Sequence, residues 1–262
     1  MQISVIITTY NRPAALVRVL DGLRHQIRLP DEVIVADDGS SPGTAASIER
    51  FLKVSPFPLY HVWHADRGFR AAAIRNKAIR KSVGEYIVSL DGDCIPEKHF
   101  ISDHRTLAQR RFFFQGKRIL IDKARSESFN FSDTDTFFKT IRLLFQSGVG
   151  NRHHLIWFPF FPALASRSLS GIRSCNMGFF RDDIFAVNGF NENFHGWGRE
   201  DAELAVRLFN YGLKRKSHPF MAACFHLWHT ENDRSRLMIN DDLLGDCKES
   251  KAIRCINGLI QD

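Results

Sequence analysis

The chain has 262 residues and 44% apolar composition, enough for one α/β domain or a tightly joined pair with a substantial core. Lysine and arginine outnumber aspartate and glutamate by 36 to 29, and the net charge of +7 favours anionic partners such as nucleotides, nucleic acids or acidic membranes. The five widely spaced cysteines form no CxxC pair, which argues against a disulfide framework or a cysteine-rich zinc site and fits a reducing cytosol.

Strand and helix patterns alternate through the first third of the chain. Asn11 and Pro13 suit the cap and first turn of a helix, and Gly22 with Pro30 marks its exit. β-branched and apolar runs predict strands at 3–8, 32–36, 59–63 and 86–90, with an alanine-rich helix at 71–82. This alternation predicts an α/β fold with a mostly parallel central sheet flanked by helices.

The pattern loosens beyond about residue 96. The predicted elements are a helix at 100–114, a strand at 174–180, a short helix at 182–187, a helix at 201–211 and a polar helical tail from about 234. Gly212 should end the helix predicted at 201–211. The aromatic-rich segment 129–169 indicates no definite element.

A polar cluster follows each predicted strand of the first half of the chain. The clusters are Thr8-Thr9-Tyr10-Asn11, Asp37-Asp38-Gly39-Ser40, His64-Ala-Asp66-Arg67-Gly68 and Asp91-Gly92-Asp93. Because ligands of open α/β sheets bind at the carboxyl ends of the strands, these side chains should line one edge of the sheet. Arg67, Arg70 and Arg75 lie where they can face a diphosphate or a nucleobase.

Two of these aspartates form a candidate metal site. Asp91 and Asp93 flank a glycine, and the two-residue period of a strand turns both to one side, where their oxygens could hold Mn²⁺ or Mg²⁺. Aspartates also cap turns, so the motif alone is weak and the neighbouring clusters strengthen it. His229, and as a second choice His226, could complete the metal shell.

A second acidic segment opens the helix predicted at 201–211. Glu200 and Asp201 follow a Gly-Trp-Gly-Arg sequence and are either ordinary partners of the helix dipole or functional carboxylates. As a functional group, such a carboxylate could take the proton from an incoming hydroxyl. Trp197 could provide the apolar face on which a pyranose stacks.

The longest apolar stretch, 155–165, is shorter than the roughly 20 residues that cross a bilayer and contains two prolines. The first residues also lack the basic, apolar and small-residue series of a signal peptide. With Arg152 and Arg167 beside it, the stretch is either buried core or an apolar flap with a basic rim that touches a membrane or a lipid-linked acceptor. Both interpretations stay open.

Five motifs spread over most of 1–230 carry a family resemblance. They are Val5-Ile-Ile-Thr-Thr-Tyr-Asn, Val33-Ile-Val-Ala-Asp-Asp-Gly-Ser, Gly68 with Arg75-Asn76, Asp91-Gly-Asp and Gly196-Trp-Gly-Arg-Glu-Asp. In this order they resemble the inverting glycosyltransferases of family 2, with a C-terminal half similar to galactosyltransferases and chondroitin-synthase-like polymerases. The resemblance implies a GT-A fold in which 1–95 is a Rossmann-like nucleotide-binding half, 96–230 is the acceptor and catalytic half, and 231–262 is an appendage.

The resemblance also implies metal-dependent transfer of a sugar from a UDP-sugar to a glycan or glycolipid acceptor. The reaction would take place in the cytoplasm or at the inner face of the membrane, and it would serve the synthesis of surface polysaccharide or lipopolysaccharide. Asp201 would be the catalytic base, and Glu200 would bind the acceptor or donor sugar. Asp93 would bind the metal directly, with Asp91 nearby or on the ribose. The donor contacts would be Thr9, Tyr10, Arg12, Asp38, Asp66, Arg75, Asp91 and Trp197. Ala202 stands where galactosyltransferases often have a third acidic residue, so the sugar is not predicted.

Three other functions compete with this prediction. A dinucleotide-binding oxidoreductase would need GxGxxG after the first strand, where the chain instead has Thr9-Tyr10-Asn11-Arg12-Pro13. Nucleic-acid binding is disfavoured because the basic residues form no compact run with stacking aromatics. A non-catalytic sugar- or nucleotide-binding module would keep Trp197 without needing Asp93 or Asp201, and only a reaction assay distinguishes it.

Overall fold

The structure is a computed structural model that describes residues 1–261. Its strands are β1 (Ile3–Thr9), β2 (Glu32–Asp37), β3 (Leu59–Trp63), β4 (Tyr86–Asp91), β5 (Cys94–Pro96), β6 (Phe112–Gln115), β7 (Lys117–Ile121), β8 (Val149–Gly150), β9 (Leu164–Ser166), β10 (Asn176–Phe180), β11 (Lys214–Ser217) and β12 (Ala223–His226). Its α-helices are α1 (Pro13–Arg24), α2 (Pro42–Leu52), α3 (Ala71–Lys81), α4 (Phe100–Leu107), α5 (Lys123–Ser126), α6 (Phe137–Phe145), α7 (Arg181–Ala186), α8 (Glu200–Asn210) and α9 (Leu237–Ser250). Short 3-10 helices lie at Phe131–Asp133 and Arg152–Leu155.

The large sheet has the strand order β3-β2-β1-β4-β10-β6-β11-β9. Four of its seven pairings are parallel, and the antiparallel ones all involve β10 or β9. A smaller sheet has the order β5-β12-β7-β8. The predicted α/β fold, with a mostly parallel central sheet flanked by helices, is confirmed, and its second half is mixed.

Alternate residues of the central strands enter two apolar layers. Val5 of β1 packs in the same layer as Leu16 of α1, whereas its neighbour Ile6 packs in the layer that contains Ile74 of α3. Both faces of β1 and β2 are therefore covered, which explains their nearly continuous apolar runs. The carboxyl ends of β1, β2 and β4 then open on one edge of the sheet.

Two predictions about α1 are wrong in detail. Gly22 lies inside the helix rather than at its exit, and a Cβ there would come within 2.9 Å of Cδ of Pro96. Glycine at this position therefore lets α1 pack closely against β5. Asn11 is not the helix cap, since Arg12 precedes α1 and the Asn11 side-chain oxygen accepts a 2.9 Å hydrogen bond from the amide of Ser41.

The helix predicted at 100–114 ends early. It stops at Leu107, and Arg111 has a φ of 70°, a left-handed conformation that a helix cannot contain. Phe113 and Phe114 are then buried in β6 between two neighbouring strands, where aromatic side chains pack well on a pleated surface.

Helix α2 had no counterpart among the predicted elements. Gly43, Thr44 and Ser47 are poor helix formers, and the helix is held instead by burial of Ile48 and Phe51 against the sheet. The unassigned segment 129–169 contains α6, β8 and β9. Within residues 1–261, every helix is too short or too polar to cross a lipid bilayer.

Candidate active site

A cleft of about 820 Å³ opens at the carboxyl ends of β1, β2 and β4 and at the start of α8. The site residues predicted from the sequence that line it are Thr9, Tyr10, Arg12, Asp38, Arg75, Asp91, Asp93, Trp197, Glu200, Asp201, His226 and His229. Asp66 lies beside the cleft, where its carboxylate accepts a 2.9 Å hydrogen bond from the hydroxyl of Tyr10. The two distant acidic segments, Asp91 to Asp93 and Glu200 to Asp201, therefore face one cavity.

Three side chains converge at the end of β12. Asp93 Oδ1 lies 3.8 Å from Nε2 of His226, and Asp93 Oδ2 lies 3.5 Å from Nε2 of His229. One potential ligand atom from each of the three residues lies within 4.8 Å of the other two. Because Mn²⁺ and similar ions bind at about 2 Å, ligand atoms of one shell sit roughly 3–4 Å apart, and this spacing suits a single cation. Burial lowers the pKa of His226, which favours the neutral imidazole that binds metals.

Asp91 is held differently from Asp93. Its Oδ1 lies 3.3 Å from Nη2 of Arg75, and it is not among the three converging groups. Burial, followed by repulsion from Asp93 and Glu200, raises the pKa of Asp91 to about 6, although Arg75 opposes that rise. Of the two aspartates expected to bind the cation together, the structure brings only Asp93 beside the histidines.

Arg75 joins the two halves of the cleft. Its buried guanidinium donates to Thr8 Oγ1 at 3.1 Å and to Glu200 Oε1 at 3.1 Å, besides its contact with Asp91. A planar guanidinium with several N–H donors can hold three oxygen atoms in fixed positions around it. Arg75 thereby fixes the first residue of α8 against the end of β1.

Arg12 supplies a second cation, next to Asp93. Its Nη1 lies 2.6 Å from Asp93 Oδ2, and its Nη2 donates to the carbonyl of Trp228 at 3.2 Å. The side chain is about one-third exposed and lines the cleft. Positive charge at this point suits an anionic group bound beside Asp93.

Asp201 lies one residue into α8, after Arg199 has turned the chain with a φ of 77°. Its Oδ2 accepts a 3.3 Å hydrogen bond from the amide of Ser174, and its Oδ1 accepts one of 2.7 Å from Ala202. Burial first, and then the neighbouring charge of Glu200, raises the pKa of Asp201 to about 7. A carboxyl group with this pKa can take up and release a proton near neutral pH.

The DDGS motif shapes the other end of the cleft. Asp38 accepts hydrogen bonds from the amide of Arg70 at 2.8 Å and from Nε2 of His64 at 2.6 Å, while its burial raises its pKa. Gly39 has a φ of 95°, and a Cβ there would lie 2.6 Å from Cα of Asp66. Only glycine allows this approach of the two clusters. The sequence placed His64 in a cluster without a role, and the structure makes it a partner of Asp38.

Helix α9 holds the Gly-Trp-Gly loop, a function that the sequence did not reveal. Asn240 is fully buried, and its amide nitrogen donates to the carbonyls of Gly198 at 2.9 Å and His195 at 3.2 Å. Arg199 adds a 2.5 Å ion pair with Asp241 of the same helix. An isolated asparagine in a polar tail carries no pattern that predicts a long-range contact, so only the fold identifies it.

We expect Asn240→Ala to lower the free energy of unfolding by about 1–3 kcal/mol, because loop carbonyls lose their buried donor. Amide hydrogen exchange at 195–199 should become faster, since the loop loses its hydrogen bonds to Asn240 and keeps only the ion pair between Arg199 and Asp241. Asp242→Ala, which truncates an exposed residue of the same helix, is the matched control and should change neither quantity. Unchanged exchange in the Asn240 variant would contradict a restraining role for α9.

Comparisons with known proteins assign the chain to a family. The model for glycosyl transferase family 2 matches residues 4–170, and the model for the N-terminal domain of galactosyltransferase matches residues 162–230. Hyaluronan synthase from Pasteurella multocida is 29% identical over 225 residues, which are 80% of this chain and 23% of that protein. Among the first curated relatives, the chain spans between about a quarter and a little over half of their length.

Solved structures confirm the predicted GT-A-type fold. The mannosyltransferase PcManGT from Pyrobaculum calidifontis, in complex with GDP-Man and Mn²⁺, matches with a TM-score of 0.58 and 21% identity over 96% of this chain and 64% of that chain. TarS 1-349 from S. aureus, in complex with UDP, matches with a TM-score of 0.65 and 15% identity over 96% of this chain and 68% of that chain. Both are structures of nucleotide or nucleotide-sugar complexes, and one holds a divalent cation.

Proposed function

The chain belongs to glycosyl transferase family 2, and from that premise we propose that it transfers a sugar from a UDP-sugar to an acceptor hydroxyl with inversion at the anomeric carbon. One observation carries this proposal: Asp93 and its two histidines face the same cleft as Asp201. A cation-binding group and a carboxylate with a pKa near 7 are the two chemical functions that a single displacement needs.

The residues at the end of β12 fit a divalent cation. We propose that Asp93, His226 and His229 hold Mn²⁺ or Mg²⁺, and the two imidazoles favour manganese, because Mg²⁺ strongly prefers oxygen ligands. A cation bound there would neutralise negative charge on the departing diphosphate. Asp91 is proposed to stay near the ribose or to act as an outer partner of the site, held by Arg75.

The remaining steps belong to side chains of this protein. Asp201 accepts the proton of the acceptor hydroxyl, and Glu200, which Arg75 holds in place, binds the acceptor or donor sugar. Trp197 provides a partly exposed ring for stacking against a sugar. In the first half of the chain, the residues proposed to hold the nucleotide are Thr9, Tyr10, Arg12, Asp38, Asp66, Arg75 and Asp91.

We extend the same proposal to the organisation of the chain. Residues 1–95 bind the nucleotide, 96–230 hold the acceptor and complete catalysis, and the appendage restrains the loop before α8 through Asn240 of α9. The acceptor is a glycan or glycolipid of a cell-surface polysaccharide or lipopolysaccharide. The five unpaired, buried cysteines support a reducing, cytoplasmic setting.

A screen of nucleotide sugars tests the proposed reaction. We expect the protein to release UDP from at least one UDP-sugar when manganese and a glycan acceptor are present, and EDTA should stop the release. GDP-mannose serves as the comparison donor, because one structural neighbour is a GDP-Man complex. Thermal stabilisation by UDP without any release of UDP from any donor would favour the non-catalytic binding module instead.

A further inference from the structure

The segment between α6 and β9 exposes an unusual number of large apolar side chains. Their exposed fractions include 82% for Phe138, 82% for Phe145 and 86% for Phe160. We call this the aromatic surface, and its members are Phe137, Phe138, Ile141, Phe145, Ile156, Phe158, Phe160 and Leu164. The buried-core interpretation of the stretch is therefore wrong. Large exposed apolar side chains concentrated in one segment indicate a site of interaction.

Helix α6 is built to present one apolar face outward. At about 100° per residue, Phe137, Phe138, Ile141 and Phe145 fall within an arc of about 100°. Leu143 is the buried residue of the helix and lies on the opposite side. The helix is fixed in this orientation, because Arg152 of the following 3-10 helix donates to the Leu144 carbonyl at 3.2 Å.

The segment that contains the aromatic surface has charged residues of one sign. Residues 136–181 contain six lysines and arginines and no aspartate or glutamate. Lys139 is paired with Asp135 at 2.9 Å, whereas Arg142 is exposed and has no ion-pair partner within residues 1–261. Arg152 and His153 are also exposed. Aromatic groups surrounded by unpaired cations are complementary to the headgroup region of an anionic bilayer.

The strand that follows α6 lies beside the mouth of the cleft. Strand β8 follows α6 after a short loop and lines a hollow of about 350 Å³ together with Leu120 and Trp228. Leu120 and Trp228 also line the main cleft, and the ammonium of Lys123 lies 5.0 Å from the centre of the Trp228 ring. A bilayer bound at α6 would thus lie near the side of the cleft that contains the histidines.

We propose that the aromatic surface docks this protein onto a bilayer that contains anionic lipids, with the rings of α6 and of the 156–164 loop inserted at the headgroup boundary. The binding is peripheral, and it requires neither the donor nor the cation. Because single apolar insertions and single charges contribute modestly, the affinity comes from several rings acting together with Arg142 and Arg152.

Flotation with vesicles tests this docking. The full chain should float with vesicles of phosphatidylcholine and phosphatidylglycerol, much less with phosphatidylcholine alone, and less as salt is raised. Phe138→Ser and Phe160→Ser should each lower partitioning about tenfold, because each removes one inserted ring. Arg142→Gln should reduce binding only to the anionic vesicles.

The matched control is Ile256→Ser, which removes an apolar side chain that is 91% exposed outside the aromatic surface. It should float like the unmodified protein, and all variants should keep the same melting temperature. Absence of flotation with anionic vesicles, or equal loss in the Ile256 variant, would overturn the proposal. So would a concentration-dependent dimer that Phe138→Ser dissociates in the absence of lipid, because a second copy of the chain would then cover the surface.

Discussion

Replacing Asp201 by asparagine should reduce sugar transfer by about a thousandfold or more, because an amide of the same shape cannot accept the proton of the acceptor hydroxyl. Binding of UDP should be largely unchanged, since Asp201 contacts the amides of Ser174 and Ala202 and not the strand-end residues proposed to hold the nucleotide. Turnover measured by UDP release and affinity measured by calorimetry distinguish these two effects.

The pH dependence of the unmodified protein offers an independent check on the same residue. Burial and Glu200 raise the pKa of Asp201 to about 7, and a base works only in its ionised form. The value of kcat/KM should therefore rise as the pH increases through about 7 and level off above it. The residual activity of Asp201→Asn should lack this rise.

Loss of fold would not explain an inactive Asp201→Asn. A carboxyl whose pKa is raised from 3.8 to about 7 on folding binds its proton more tightly in the folded state, so above that pH its ionised form destabilises the fold. The neutral amide avoids this effect but keeps only one acceptor oxygen for the amides of Ser174 and Ala202, so the variant should melt close to the temperature of the unmodified protein at pH 8.

Two further variants complete the test. Asp182→Asn removes an exposed carboxylate from the first turn of α7 and should be fully active. Glu200→Gln should weaken the contact with Arg75 and impair sugar binding, while the rise with pH persists. If Glu200→Gln abolished that rise and Asp201→Asn left turnover normal, the base would be Glu200.

The sequence predicted those parts of the molecule that depend on local patterns. Apolar runs buried on both faces identify β1, β2 and β4. Polar residues directly after these strands must share one edge of the sheet, so the sequence alone puts Asp38 and Asp93 at that edge. Helix α2 was not predicted, because it contains weak helix formers. The helix predicted at 100–114 was too long, because Arg111 has a left-handed backbone conformation and β6 follows it.

What the sequence could not predict depends on packing between distant segments. Asn240 of α9 supports the loop before Glu200 although 40 residues separate them. The two-residue period does not distinguish Asp91 from Asp93, because both carboxylates fit it equally well, and only the family resemblance assigned the metal to Asp93. Asp91 pairs with Arg75, whereas Asp93 lies beside His226 at the end of β12 and His229 just beyond it. The spacing of the residues in the sequence does not predict these contacts.

The different contacts of Asp91 and Asp93 lead to the strongest prediction about the proposed metal site. Asp93→Asn and His229→Ala should each weaken Mn²⁺ binding by more than the roughly 10- to 100-fold that loss of an outer-shell partner costs, because each removes a direct ligand. Asp91→Asn should weaken Mn²⁺ binding less, since Asp91 pairs with Arg75 and would affect the cation only through its charge. Paramagnetic resonance of bound Mn²⁺ measures these affinities without any turnover.

A substitution at Arg12 distinguishes the effect of a direct ligand on Mn²⁺ binding from the effect of a nearby charge. The Arg12 guanidinium lies 2.6 Å from the Asp93 carboxylate and so competes with a cation for the same oxygen. We therefore expect Arg12→Gln to bind Mn²⁺ at least as tightly as the unmodified protein and to bind UDP more weakly, because a positive charge beside the diphosphate is lost. If Asp91→Asn instead removed the bound Mn²⁺ and Asp93→Asn retained it, the cation would belong at the end of β4, and the histidines would have another role.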